Sequence, residues 1–226
     1  EEFEAWNEKM VQDFDPGHYH EHPSALVRFI EGRRVDTLLR FLDARPVHKV
    51  LEVGVGAGNI LERVDGAEKH GVDISDYVLG RARERLGDSA VLVKGDAEAL
   101  PYPDASFDRV YCSEVLEHVL SPDKVIAEMR RVLRDTGRAV VTVPNERLIN
   151  ALKRVVFASG PLARLLLKTD AGGYTSVENM EDHWHLHAFD KALLREVVGD
   201  SFRIERVASV PAPGLPLRYV ALLAPR

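Results

Sequence analysis

The sequence predicts an α/β fold, a doubly wound and mostly parallel sheet with helices on both faces. Short apolar runs alternate with amphipathic segments of helical period from residue 47 to residue 143, and the first run passes directly into a glycine-rich turn. At the chain's end, two extended runs are separated only by a proline-rich turn, the pattern of an antiparallel hairpin at a sheet edge.

The first 22 residues are polar with scattered aromatics, Phe3, Trp6, Phe14 and Tyr19, and predict a helix followed by a turn at Pro16-Gly17. Ser24 is placed to cap a helix over 25–42 whose apolar face is marked by Leu26, Phe29, Ile30, Leu38 and Leu42. Residues 47–53 predict the first strand, 60–64 a short helix and 70–74 the second strand. Ser75 caps a helix over 76–86. Strands over 90–94 and 107–112 follow, then a helix over 122–133 with Val125, Ile126, Met129 and Leu133 on one face, then a strand over 138–143. Strands separated by helices pair in parallel through right-handed crossovers. After Pro144 the rhythm breaks: residues 145–182 hold one or two apolar-basic helices and a Gly172-Gly173 turn, an insertion packed over the sheet. A helix over 190–198 and strands over 202–210 and 217–224, around Pro211, Pro213 and Pro216, close the chain.

Composition narrows the function classes. The 226 residues are 45% hydrophobic and 29% charged, the balance of a globular protein. The net charge of −6 gives no bulk attraction to nucleic acid. Cys112 is the single cysteine, so no internal disulfide forms. No apolar run has the length of a membrane span and the first residues lack a signal-peptide pattern, which leads to the expectation of a cytoplasmic protein.

The strongest local signal is Val50-Leu51-Glu52-Val53-Gly54-Val55-Gly56-Ala57-Gly58. Glycines at a strand's end permit a tight turn and let a ligand lie against the backbone. The dinucleotide fingerprint needs its third glycine one residue later, where Asn59 stands. Glu52 would repel a pyrophosphate but suits the amino group of a cationic amino-acid cofactor. Asp73 ends the second strand, where a carboxylate can accept from both hydroxyls of a ribose. Asp96, after the third strand, is placed to accept from an adenine amine, and the Ser113-Glu114-Val115-Leu116-Glu117-His118-Val119 stretch runs under the cofactor's amino-acid portion.

With the Arg131–Arg138 segment added, these pieces occur in order over residues 47–145 and resemble the class I methyltransferases, in particular the small-molecule branch typified by ubiquinone-biosynthesis O-methyltransferases. The resemblance implies a Rossmann-like, seven-stranded sheet with an antiparallel last strand, and S-adenosyl-L-methionine as cofactor with S-adenosyl-L-homocysteine as product. It implies that Gly54, Gly56 and Gly58 line the methionine and ribose, Asp73 with Ile74 holds the ribose, Asp96 and Ala97 frame adenine, and Ser113 and Glu114 approach the methionine end. It implies one domain over 1–226: N-terminal helices and a lid (1–45), a cofactor-binding core (46–144), an insertion over the acceptor site (145–188), and a closing helix and strand pair (189–226).

Two histidine clusters bear on catalysis. His183, His185 and His187 alternate on one face of an extended segment, and His185 or His187 is the expected acid–base residue. Their spacing is not a recognised zinc pattern, and no metal is assigned. His118 lies beside the cofactor loop; in the other cluster, His18–His22, Tyr19 is placed to cover the cofactor. The expected reaction is methyl transfer to a small-molecule acceptor, at oxygen. Alternatives are a lipid-linked, sugar or protein acceptor, or a non-catalytic cofactor-binding subunit. The apolar-basic stretch 147–168 predicts a pocket lid, peripheral membrane contact or a dimer face, so the chain is expected to be a monomer or homodimer without membrane insertion.

Overall fold

The computed structural model describes residues 2–13, 24–65, 68–158 and 185–226, with the side chains of Asp13 and 153–158 excepted. Its strands are β1 (Lys49–Val53), β2 (Glu68–Asp73), β3 (Val91–Lys94), β4 (Phe107–Ser113), β5 (Leu133–Pro144), β6 (Phe202–Ala212) and β7 (Leu215–Pro225). They form one sheet in the order β3-β2-β1-β4-β5-β7-β6. All neighbours pair in parallel except β7, which runs antiparallel to both β5 and β6. The closing hairpin therefore lies at a sheet edge as expected. From β1 the chain steps outward to β3, then returns to set β4 on the other side of β1. That reversal opens a crevice at the carboxyl ends of β1 and β4.

The helices are α1 (Glu2–Asp13), α2 (Ala25–Leu42), α3 (Asp76–Leu86), α4 (Pro122–Val132), α5 (Glu146–Ala158) and α6 (Lys191–Val198). Local chemistry sets several boundaries. Ser75 Oγ accepts from Val78 N at 3.3 Å to start α3. Asp190 accepts from Ala192 N and Leu193 N to start α6. Pro122 opens α4, where its missing N–H would have had no helical partner. Among the described residues no helix is long and apolar enough to cross a membrane.

Several local expectations are corrected. The buried stripe of α2 is Glu31, Arg34, Val35, Leu38, Phe41 and Leu42, whereas Leu26 and Phe29 are 46% and 57% exposed. Neither residue belongs to either apolar core cluster. Ser24 makes no side-chain cap; its carbonyl accepts from Arg28 N. The short helix over 60–64 is a single 3₁₀ turn at Leu61–Arg63. Leu133 belongs to β5, not to α4, because the strand begins there by pairing with Phe107. Pro211 and Pro216 sit in the β6–β7 ladder rather than in its turn. The turns expected at Pro16-Gly17 and Gly172-Gly173 lie outside the described residues.

Two apolar layers enclose the sheet. Leu51, Val53, Val110, Cys112 and Val141 face the layer containing Ile126 and Met129 of α4 and Leu194 and Val198 of α6. Val50, Tyr111 and Val140 face the layer containing Val35, Leu38 and Leu42 of α2 with Leu79 and Leu86 of α3. Side chains alternate along a strand, so Glu52, Ser113 and Thr142 belong to the α2 side one step nearer the carboxyl ends. On that side β4 and β5 turn polar at one level, with Ser113 beside Thr142, while Glu52 of β1 stands one row earlier, level with Tyr111 and Val140; α2 adds Arg34 and Glu31.

Candidate active site

A cavity of about 610 Å³ opens at the carboxyl ends of the strands, where the sheet's connectivity reverses. The three glycines of the turn have φ of +73°, +52° and +79°, but their tasks differ. Gly54 N and Val55 N donate to Val72 O at 2.8 and 3.0 Å, drawing the turn over β2, and a Cβ on Gly54 would collide with Val115. A Cβ on Gly56 would meet nothing within 4 Å, so its backbone is open to the cavity. Gly58 does not line the cavity; a Cβ there would stand 2.8 Å from Leu86 Cδ1. The expectation that Gly58 lines the cavity is thus corrected: it allows α3 to pack under the turn.

Asp73 Oδ2 accepts from Gly56 N at 2.9 Å and Oδ1 from Ser75 N at 3.1 Å. One carboxylate thus ties the glycine turn to the start of α3 while facing the cavity. Desolvation raises its pKa despite these bonds. Ile74, Asp96 and Ala97 line the same region. Glu52 is 2% exposed on the cavity wall, and Tyr111 Oη donates to its Oε2 at 2.8 Å. Burial pushes Glu52 up to about 8, against the pull of Tyr111 and Arg34, so near neutrality it is largely a neutral acid.

A polar shelf completes the floor, and half of it escaped sequence reasoning. Arg34 is 4% exposed; its Nε donates to Glu31 Oε2 at 2.9 Å and its Nη1 donates to Ser113 Oγ. Burial opposes the Arg34 charge, but Glu31 and Glu114 together hold its pKa above the ordinary value. Thr142 Oγ1 donates to Glu114 Oε1 at 2.8 Å, and Arg218 Nε is 2.6 Å from Glu114 Oε2. Arg218 Nη2 returns to Glu31 Oε1 at 3.8 Å. The resulting ring joins α2, β4, β5 and β7. Glu114 takes part with φ +56°, a left-handed conformation uncommon for a residue with a side chain.

The remaining wall is built by the loop after β4, the start of α5 and the segment at residue 185. Leu186 N and His187 N both donate to Glu117 O, at 2.7 and 3.2 Å, and a ring nitrogen of His187 lies 3.0 Å from Val119 O. This fastening presents His185 to the cavity, with Nδ1 against Glu146 Oε1 and its ring 4.6 Å from that of His118. His187 does not line the cavity, which corrects its place beside His185 as an acid–base residue: its ring is anchored to the Val119 carbonyl. Glu117, 1% exposed, completes the corner, and burial followed by the nearby Glu114 pushes its pKa well up. Single ligand-capable atoms of Glu117, His118 and His185 lie within 4.8 Å of one another. His183 and Tyr19 lie outside the described residues; within them, Phe3, Asn7 and Val11 of α1 form the cavity's N-terminal wall.

Glu31, Arg34, Glu146 and Arg218 are the charged lining residues that sequence reasoning did not single out, and Glu117 lay within the Ser113–Val119 stretch without a role of its own. Arg34 carried one signal, a charge within an otherwise apolar helical stripe. Arg218 carried none, because its neighbours are set by strand pairing across the sheet.

Comparison with known proteins agrees with this geometry. Residues 51–141 match the family model described as a methyltransferase domain. The chain is 40% identical over 114 residues to the sterol 24-C-methyltransferase ERG6B of Gibberella zeae, covering 47% of this chain and 30% of that protein. It is 32% identical over 145 residues to the ubiquinone/menaquinone biosynthesis C-methyltransferase UbiE of Vibrio campbellii, covering 58% and 56% respectively. The chain thus spans about half or less of these relatives' lengths. Among solved structures, the magnesium protoporphyrin IX methyltransferase ChlM of Synechocystis, with bound SAH, superposes with a TM-score of 0.62 at 18% identity, covering 89% of this chain and 88% of that one.

Proposed function

We propose that the chain is a class I, S-adenosylmethionine-dependent methyltransferase, a reading supported by the family match over residues 51–141, and that it transfers the methyl group of that cofactor to a small-molecule acceptor, at oxygen. The observation that carries this reading is one cavity with two kinds of wall: a glycine turn flanked by acids, and a corner where His185 stands against Glu146.

The residues fit the cofactor. The open space over Gly56 admits a ligand onto the backbone. Both oxygens of Asp73 already accept one backbone N–H, and each has a second lone pair for a ribose hydroxyl. Glu52 and Arg34 offer an acid and a cation to the ammonium and carboxylate of the amino-acid portion, near Ser113 and Glu114. Asp96 and Ala97 are assigned to adenine, with Ile74 beside the ribose. When bound, the cofactor supplies a methyl group on a sulfonium, so the protein's task is mainly positioning.

The chain's own part is to hold the acceptor hydroxyl and take its proton. Glu146 at Nδ1 favours the His185 tautomer whose basic lone pair is on Nε2, and its charge stabilises the imidazolium that forms. His187 acts at a distance, by fixing the segment to the Val119 carbonyl. Ile149 and Asn150 of α5 complete the acceptor wall. The test is product formation by the purified chain with labelled cofactor on phenols, carboxylates, sugars and quinone precursors. Methylated oxygen in at least one product is expected. A chain that binds S-adenosylhomocysteine but methylates nothing would be a cofactor-binding subunit instead.

A further inference from the structure

The acceptor end of the cavity carries a group that methyl transfer, as described, does not employ. Glu117 lines the cavity at 1% exposure, and among the described residues its Oε2 has no hydrogen-bond partner. A buried carboxyl oxygen left unpaired is costly, and native structures rarely leave one without a function. The groups around it come from five directions: His118 on its own loop, His185, Glu146 of α5, Glu114 just after β4, and Arg218 of β7, whose positive charge reaches Glu117 while its Nε lies against Glu114. Among the described residues lining the cavity, the arginines are Arg34 and Arg218, and each is held by a glutamate of the polar shelf. An anionic acceptor would therefore meet carboxyl groups with no arginine committed to it. A donor or a cation would satisfy Glu117 directly.

We infer that Glu117 binds an amine carried by the acceptor a few bonds from the methylated atom, so that the substrates are amine-bearing phenols or alcohols rather than acids or phosphate esters. The inference rests on reading the cavity as a methyl-transfer site. The spacing supports it: with Glu117, His118 and His185 ligand atoms within 4.8 Å of one another, one small molecule can place nitrogen on Glu117 and hydroxyl on His185. The contact is favourable whichever partner holds the shared proton, as ammonium with carboxylate or as amine with carboxylic acid. A charge-assisted hydrogen bond out of water is the stronger kind and gives discrimination that shape alone does not.

Three phenols of one shape test it: 2-(aminomethyl)phenol, 2-(hydroxymethyl)phenol and 2-hydroxybenzoate, each titrated calorimetrically into the full chain saturated with S-adenosylhomocysteine. The amine is expected to bind roughly tenfold or more tightly than the other two. Glu117→Gln should remove that preference, and the wild-type ranking stands as a readout by itself if the variant does not fold. Equal affinities, tightest binding of the benzoate, or a preference that survives in E117Q would overturn the inference. So would saturation by Mn²⁺ alone that E117Q abolishes, since the carboxyl would then belong to a metal. Failure to bind S-adenosylhomocysteine at all would bring down the methyltransferase reading and the inference with it. In a parallel turnover with S-adenosylmethionine, methylation at nitrogen with the amine preference intact would uphold the inference and correct only the acceptor atom.

Discussion

Binding of a cationic amino-acid cofactor should release a proton from Glu52. The acid sits at 2% exposure with its pKa pushed up to about 8 by burial, so at pH 7 about nine molecules in ten carry it neutral. An ammonium placed beside it favours the carboxylate, and binding then includes the cost of ionisation. If the bound state is fully ionised, apparent affinity is lowered about elevenfold at pH 7 and about twofold at pH 8, a difference of roughly 1 kcal/mol. Close to one proton should leave per ligand at pH 7. Calorimetric titration of S-adenosylhomocysteine in phosphate and in Tris, from pH 6.5 to 8, measures both quantities, because the buffers differ in ionisation heat. Glu52→Gln should abolish the slope and the proton release. Its amide oxygen can still accept from Tyr111 Oη. The sign for stability is the reverse of that for binding. A carboxyl whose folded pKa lies above its unfolded value costs stability as pH rises from the unfolded value through about 8. E52Q should therefore melt higher than wild type at pH 7–8, by up to a few kcal/mol. An affinity flat across this range in wild type, or an unchanged slope in E52Q, would refute the reasoning.

The glycines should separate by task. G54A should destabilise the fold by about 3 kcal/mol or more through its positive φ and its collision with Val115, whereas G56A, with the positive φ but no collision, should cost about 1–2 kcal/mol yet lose S-adenosylhomocysteine affinity; melting curves paired with calorimetry check both. Arg34→Ala takes the nearer cation from the buried Glu31, leaving the longer 3.8 Å contact with Arg218, and should cost about 3 kcal/mol in urea unfolding, while Glu31→Gln with Arg34→Met should recover most of it. Once an acceptor is in hand, Glu146→Gln should lower kcat by about 10²-fold or more with the S-adenosylhomocysteine Kd unchanged, because it acts on the His185 tautomer and charge.

The sequence revealed the parts that repeat locally. The helix over 76–86 and its Ser75 cap, the order of strands and helices, and the closing hairpin all follow from periodicity and capping chemistry within short windows. The residues assigned to ribose and adenine, Asp73, Ile74, Asp96 and Ala97, stand on the cavity wall, since each lies at or within three residues of a strand's carboxyl end. The polar shelf was illegible because its members meet only across elements: pairing sets Ser113 beside Thr142, one row beyond Glu52 and Tyr111, and Arg34 reaches Ser113 and Thr142 from α2. Gly58 and Gly54 looked alike in sequence, yet Leu86 and Val115, distant along the chain, decide what each is for. The alternation of His185 and His187 suggested one shared face, but the Glu117 carbonyl captures both following backbone amides and turns the two rings to different partners.

The cavity's assignment meets its most direct test in a crystal structure of the full chain grown with S-adenosylhomocysteine. The account predicts ribose hydroxyls on the Asp73 carboxylate, the ammonium toward Glu52 and the thioether facing the corner of His185 and Glu146. A nucleoside bound elsewhere, or an empty crevice at saturating ligand, would contradict it.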